Sequence, residues 1–323
     1  MASNSSVTHQ GAPVLPGAPV SPAGRAGLGW GLLGVLAFSF TVVLTRVAVV
    51  GLSPLFIGAG RAVVAALLAA VALRLTRQRR PTRAQLVRLG VVAAGIVLGF
   101  PLLTSYALRT VPAAHGAVVI AVLPAATALA AVLRTGERPG RRFWGFAAAG
   151  AVAAVGFATT GPSGFGDVRG SDLLLVGAVV AAAVGYAEGG LLARELGAWQ
   201  TVSWALVVAL PVVLALSAVS AAAEPPHASA GQWLAFGYLA VVSMYLGFFA
   251  WYRGLAIGPM ARVSQVQLVQ PVLTIAWALL FLREPLSWSV VVGALVVVGC
   301  AALTVRNRSG QNQNQNRNPE ENR

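Results

Sequence analysis

The run Gly185-Tyr186-Ala187-Glu188-Gly189 places a carboxyl inside a long apolar stretch. Gly185 and Gly189 stand one helical turn apart, so a second helix can approach closely beside Glu188. A carboxyl kept from water there could load and release a proton, whereas Glu137, Glu195 and Glu284 fall at helix ends. The plainer alternative is an interfacial glutamate paired with Arg194, since Glu188 lies about 24 Å along its helix from Asp172. Arg61 also sits inside an apolar stretch, about 10 Å from its outer end if the helix begins near Pro54. An ionised group in hydrocarbon costs about 3 kcal/mol on insertion scales, so it needs a reason. Arg61 could hold a carboxylate through two parallel hydrogen bonds, or donate to carbonyls freed by a neighbouring broken helix.

A third group is neutral. Ser264, Gln265, Gln267, Gln270 and Thr274 fall in one apolar segment, with Ser264, Gln267, Pro271 and Thr274 on one helical face. Such a stripe suits a small polar molecule, or hydrogen bonds between helices. Pro271 and Pro124 each remove a backbone donor in mid-segment and free the carbonyls of Gln267 and Ile120, as hinges or as rigid kinks. Tyr186, Tyr106, Trp251, Tyr252 and His115 could line a cavity, although anchoring at the membrane surface is the simpler role for the aromatics. Arg46 reads as snorkelling to the outer surface, and Asp172, after Gly170-Ser171, as a helix N-cap.

The elements that must position these residues are membrane spans. The 323 residues are 57% hydrophobic and 10% charged, against about 25% charged in a soluble domain. Apolar runs fall near Leu28–Val47, Leu55–Leu75, Leu86–Leu108, Ala113–Leu133 and Phe143–Thr160, and then near Leu173–Leu192, Thr201–Ala222, Trp233–Ala256, Ala261–Leu282 and Trp288–Val305. Residues 1–25 and 306–323 read as disordered polar tails, and 161–171 as a connector between two halves, 26–160 and 172–305. The net charge of +14 sits in short loops and is a topology signal, so nucleic acid is not expected as a partner. With the amino terminus inside, 18 arginines face the cytoplasm and four the outside, which sets the orientation. Both termini are then cytoplasmic, in a multi-pass protein of the cell (inner) membrane.

An internal copy organises the chain. One shift of 147 carries Pro112, Pro124 and Glu137 onto Pro259, Pro271 and Glu284. It also carries Ala114, Val119, Val122, Thr127, Ala131 and Leu133 onto identical residues. Five spans per copy force the second copy to run opposite to the first. Gly150, Ala151, Val155, Gly156 and Ala158 match Gly293, Ala294, Val298, Gly299 and Ala301 at a shift of 143, a difference absorbed by the arginine-rich loop of the first copy.

Ten spans in two inverted fives, Arg61 in the second span and the proline–proline–glutamate copies resemble the EamA-type drug/metabolite transporters over residues 26–305. The resemblance implies an all-α polytopic fold with a central cavity between the halves, and export of amino acids, related metabolites or drugs. At the shift of 143, Arg61 falls on Trp204, so recognition is expected to be asymmetric. The reading is a monomeric secondary transporter with a small-molecule substrate, protons as a candidate coupling ion, and no cofactor. A membrane-bound sensor is the second reading. No Walker glycine loop, metal spacing, paired carboxylates or nucleophile–base pair supports an ATPase or an enzyme, and Cys300 alone forms no intrachain disulfide.

Overall fold

A computed structural model describes residues 22–136, 140–158, 160–161, 164–165, 170–257 and 266–317. Among the described residues seven helical stretches are long and apolar enough to cross a membrane: Ala26–Ala48, Pro54–Leu75, Arg83–Ala107, Ala113–Arg134, Gly170–Leu196, Ala198–Ala223 and Ala230–Gly254. Val266–Leu282 and Trp288–Leu303 are shorter apolar helices. The one strand pair described is two residues a side, β1 (Thr160–Gly161) with β2 (Gly164–Phe165).

Several stretches are interrupted. The first divides into α1 (Pro22–Ser39) and α2 (Thr41–Ala48). α3 (Pro54–Leu75) follows unbroken, started by Ser53, whose hydroxyl accepts from the Phe56 amide. The next runs from α4 (Arg83–Val92) through a π-helical segment, Ala93–Gly99, into α5 (Phe100–Ala107). α6 (Ala113–Ile120) and α7 (Leu123–Thr135) then divide beside Pro124, and α8 (Arg141–Ala158) closes the half.

The second half repeats this order. α9 (Gly170–Leu196) and α10 (Ala198–Ala223) come first. α11 (Ala230–Tyr238) leads through a π segment, Leu239–Leu246, into α12 (Gly247–Ile257). A 3₁₀ turn, Val266–Val269, precedes α13 (Gln270–Leu282) and α14 (Trp288–Arg317).

The shift of 147 governs more local detail than the side-chain identities suggest. α4 and α11 both begin with reciprocal capping boxes, Thr82 with Gln85 and Ser229 with Gln232. α7 and α13 both end in a left-handed residue, Gly136 at φ 72° and Arg283 at φ 52°. Packing follows the same exchange of halves: α1 lies against α12 as α9 lies against α4 and α5, while α3 pairs with α10 and α8 with α14.

Two corrections arise here. α9 begins at Gly170, so Asp172 lies in its first turn and not at the N-cap; it pairs with His115 Nε2 at 2.7 Å. α14 continues to Arg317, where the sequence suggests disorder from Arg306; extending a nucleated helix through Asn, Gln and Arg is cheap compared with starting one.

The glycines beside Glu188 act as expected. A Cβ on Gly185 would lie 2.7 Å from Ile96 Cγ2, and one on Gly95 2.4 Å from the Ala181 carbonyl oxygen. Gly95→Val should therefore force α9 off the π segment at a cost of about 3 kcal/mol. Gly90→Val, where nothing lies within 4 Å, serves as control, and only the first should lower the melting temperature in detergent by several degrees.

Candidate functional site: a central cavity between two polar ties

The interruptions converge. A cavity of about 30 Å³ is lined by Thr41 from the start of α2, Ile96 and Ser243 from the two π segments, and Leu123 and Gln270 from the first turns of α7 and α13. Arg61, Tyr186, Phe38 and Phe248 also line it. A second cavity of about 20 Å³ shares Val42, Leu123 and Gln270 with the first and reaches Gln267, Pro124, Pro271 and Thr274. Irregular backbone inside a membrane is tolerated where protein or a water-filled cavity satisfies it, so this position is physically expected. The first cavity has room for one or two waters. A metabolite would require the helices to part.

Arg61 dominates the electrostatics. It is 1% exposed, and its Nε has no hydrogen-bond partner. Arg46 Nη1 donates to the Leu108 and Arg109 carbonyls, just past the end of α5, at 2.9 Å. Thr41 and Ser243 share a hydrogen bond of 2.7 Å across the cavity wall, joining the two halves. Their mutual bond uses one hydroxyl proton and leaves the other free to donate. Tyr186 stands with its ring centroid 6.0 Å from Phe248, which lies 4.9 Å from Phe38.

The polar stripe divides by role. Gln267 is buried and Gln270 half-buried, both lining cavity. Thr274 instead donates to the Ser39 carbonyl at 2.8 Å, at the break between α1 and α2, so it joins helices. Ser264 and Gln265, with Pro259 and Glu137, lie outside the described residues. Pro124 and Pro271 stand where α6/α7 and the 3₁₀ turn/α13 break, as their chemistry requires.

Glu188 is buried, but its carboxylate is paired, with arginines from two other helices. Its carboxylate accepts from Arg88 Nε on one oxygen and from Arg134 Nε, at 2.7 Å, on the other. Arg88 Nη1 reaches on to Glu195, which Gln85 also contacts. A 5% exposed carboxylate is thereby compensated by two guanidiniums drawn from α4 and α7. These partners replace the anticipated Arg194, and the arrangement ties α9 to both neighbouring helices at one end of the bundle.

At the opposite end of the α6–α7 pair, Glu284 makes a second tie. Its carboxylate accepts from the backbone amides of Ala113 and Ala114 at 2.8 and 2.9 Å, the first turn of α6. Free amides and the helix dipole favour an anion there. The sequence places Glu284 at a helix end but carries no sign of this bond. α6 and α7 are thus held to the second half at both ends, with the Pro124 break between.

Similar proteins place this architecture. An uncharacterized transporter, YdeK, from Bacillus subtilis (strain 168) is 42% identical over 280 residues, covering 86% of this chain and 97% of that one. A protein of known crystal structure shares the fold at a TM-score of 0.59 and 20% identity, over 88% of this chain and 98% of its own. Residues 25–159 and 169–306 each match the same family, so one family unit covers each half of the helical bundle. The chain is a multi-pass membrane protein and belongs to the EamA-like transporter family.

Proposed function

We propose that the chain is a secondary transporter that exports a small organic metabolite across the cell membrane by alternating access. Its ten helical spans form two inverted five-helix repeats with both termini in the cytoplasm. The observation that carries this reading is Arg61, a buried cation with an unpartnered Nε, facing a cavity where the interruptions of both halves meet. A packing role would have left that guanidinium bonded to carbonyls. The shared capping boxes, π segments and left-handed helix ends support the repeat. Export as the direction follows from the family resemblance.

The Glu188 cluster is the cytoplasmic tie and Glu284 the outer one. Releasing one while the other holds would open the cavity to one side at a time, with Pro124 and Pro271 as the bending points. Among the described residues no acid borders the cavity, so energy comes from the substrate gradient or from an ion carried by neutral oxygens. The test is reconstitution in liposomes loaded with a defined mixture of carboxylates, amino acids and amines, with efflux followed by mass spectrometry. Selective loss of one class against protein-free liposomes supports transport, and identical efflux refutes it.

Topology is checked separately. With Cys300 replaced by serine, Ser163→Cys should react with an impermeant maleimide from outside cells and Ser309→Cys only after permeabilisation. Labelling of both from one side contradicts the inverted repeat.

A further inference from the structure

We infer, on the reading of the central cavity as the substrate site, that the substrate is an organic monocarboxylate without an ammonium group. Its carboxylate would lie on Arg61 and its apolar body against Phe38, Tyr186 and Phe248.

The inference rests on where the acids are. The chain has nine. Asp172 is paired with His115, and Glu284 is spent on the amides of α6. Glu188 and Glu195 are held by Arg88, with Arg134 also on Glu188. Glu224 is exposed beyond the end of α10. Glu137, Asp167, Glu320 and Glu321 lie outside the described residues, in loop, connector and tail sequence. Every described acid is therefore placed away from the cavity wall.

A zwitterionic amino acid would bring an ammonium into this space beside a fixed guanidinium, with no carboxylate to receive it. Such a like-charge pair in a water-poor site is strongly unfavourable. The cavity instead offers donors to an anion: Arg61, one hydroxyl of the Thr41–Ser243 pair, and the amide of Gln270. The remaining wall, with Ile96, Leu123 and Met244, gains from burying a hydrocarbon body. Aromatic faces and the neutral oxygens of Thr41, Ser243, Tyr186 and Gln270 are the features that could attract an ammonium, which makes the amino acid the necessary comparison.

Four compounds that share one branched hydrocarbon body separate the charges: isocaproate, leucine, isoamylamine and isocaproamide. The readout is the ligand-induced rise in melting temperature of the intact chain in detergent, titrated to a dissociation constant. Isocaproate should bind at least roughly tenfold more tightly than leucine, and the amine and the amide should give no shift. Arg61→Gln should lose the isocaproate response, and Arg61→Lys should recover part of it. The proposal is overturned if leucine matches isocaproate, if isoamylamine binds, if no compound shifts the parent, or if the response survives in Arg61→Gln. Should Arg61→Gln not fold, the four-compound comparison on the parent decides. A selective binder without flux would sink the transport reading alone; flux that prefers leucine would sink this one alone.

Discussion

Arg61→Met should leave the protein folded, more stable than the parent, and inactive in transport. The guanidinium is fully buried and its Nε unpaired, so the parent bears an uncompensated cost of about 2–3 kcal/mol on insertion scales. Methionine keeps most of the volume and removes the charge, as apolar replacements of buried charges often stabilise. The melting temperature should therefore rise by several degrees, while efflux of the substrate identified in the liposome screen falls at least about a hundredfold. A destabilised Arg61→Met would show that Arg61 has a structural partner after all. A stable and fully active variant would remove it from the substrate site.

Glu188→Gln should have the second largest effect, acting on the distribution of conformations. In the parent, α9 is joined through one carboxylate to Arg88 on α4 and Arg134 on α7. Breaking a fully buried pair by removing one member costs about 3–5 kcal/mol. Arg134 is 53% exposed and Arg88 keeps Glu195, so solvent screening reduces the figure to about 1–2 kcal/mol. That is roughly a tenfold shift toward states open on the cytoplasmic side. Alkylation of a cysteine at Gln270 from the cytoplasmic side should accelerate by that factor. Glu188→Asp, one methylene shorter, should fall between parent and Gln. An unchanged alkylation rate would mean that the cluster does not hold the gate.

The architecture was legible because its signals are local. Apolar run lengths predicted span limits that fall within a few residues of most of the described helices, with α14 the exception in running on to Arg317. Pro124 and Pro271 located two of the interruptions, since a missing amide is visible in sequence. The π segments at Ala93–Gly99 and Leu239–Leu246 have no comparable signature, and neither has the break at Phe40. The capping boxes at Thr82 and Ser229 could have been found by extending the repeat search upstream of Pro112.

The site was legible in part. Arg61, Tyr186, Gln267 and Gln270, singled out in the sequence, line the two cavities. Thr41 and Ser243 were missed, although each is a hydroxyl in an apolar run, because only packing brings them within 2.7 Å across 202 residues. The partners of Glu188 escape the sequence for a related reason. Arg88 and Arg134 are among the 18 arginines expected on the cytoplasmic side, but their contact with Glu188 depends on which helices are neighbours. That information is tertiary.

Alternating access predicts that the Arg61 cavity opens in turn to either side of the membrane. Gln270 lines both of its parts. In a Cys300→Ser background, Gln270→Cys reconstituted in liposomes should react with an impermeant methanethiosulfonate reagent presented from either side alone, and bound isocaproate should slow both reactions. Reaction from neither side, or from one side only at every substrate concentration, would make the cavity a packing void or a dead-end pocket.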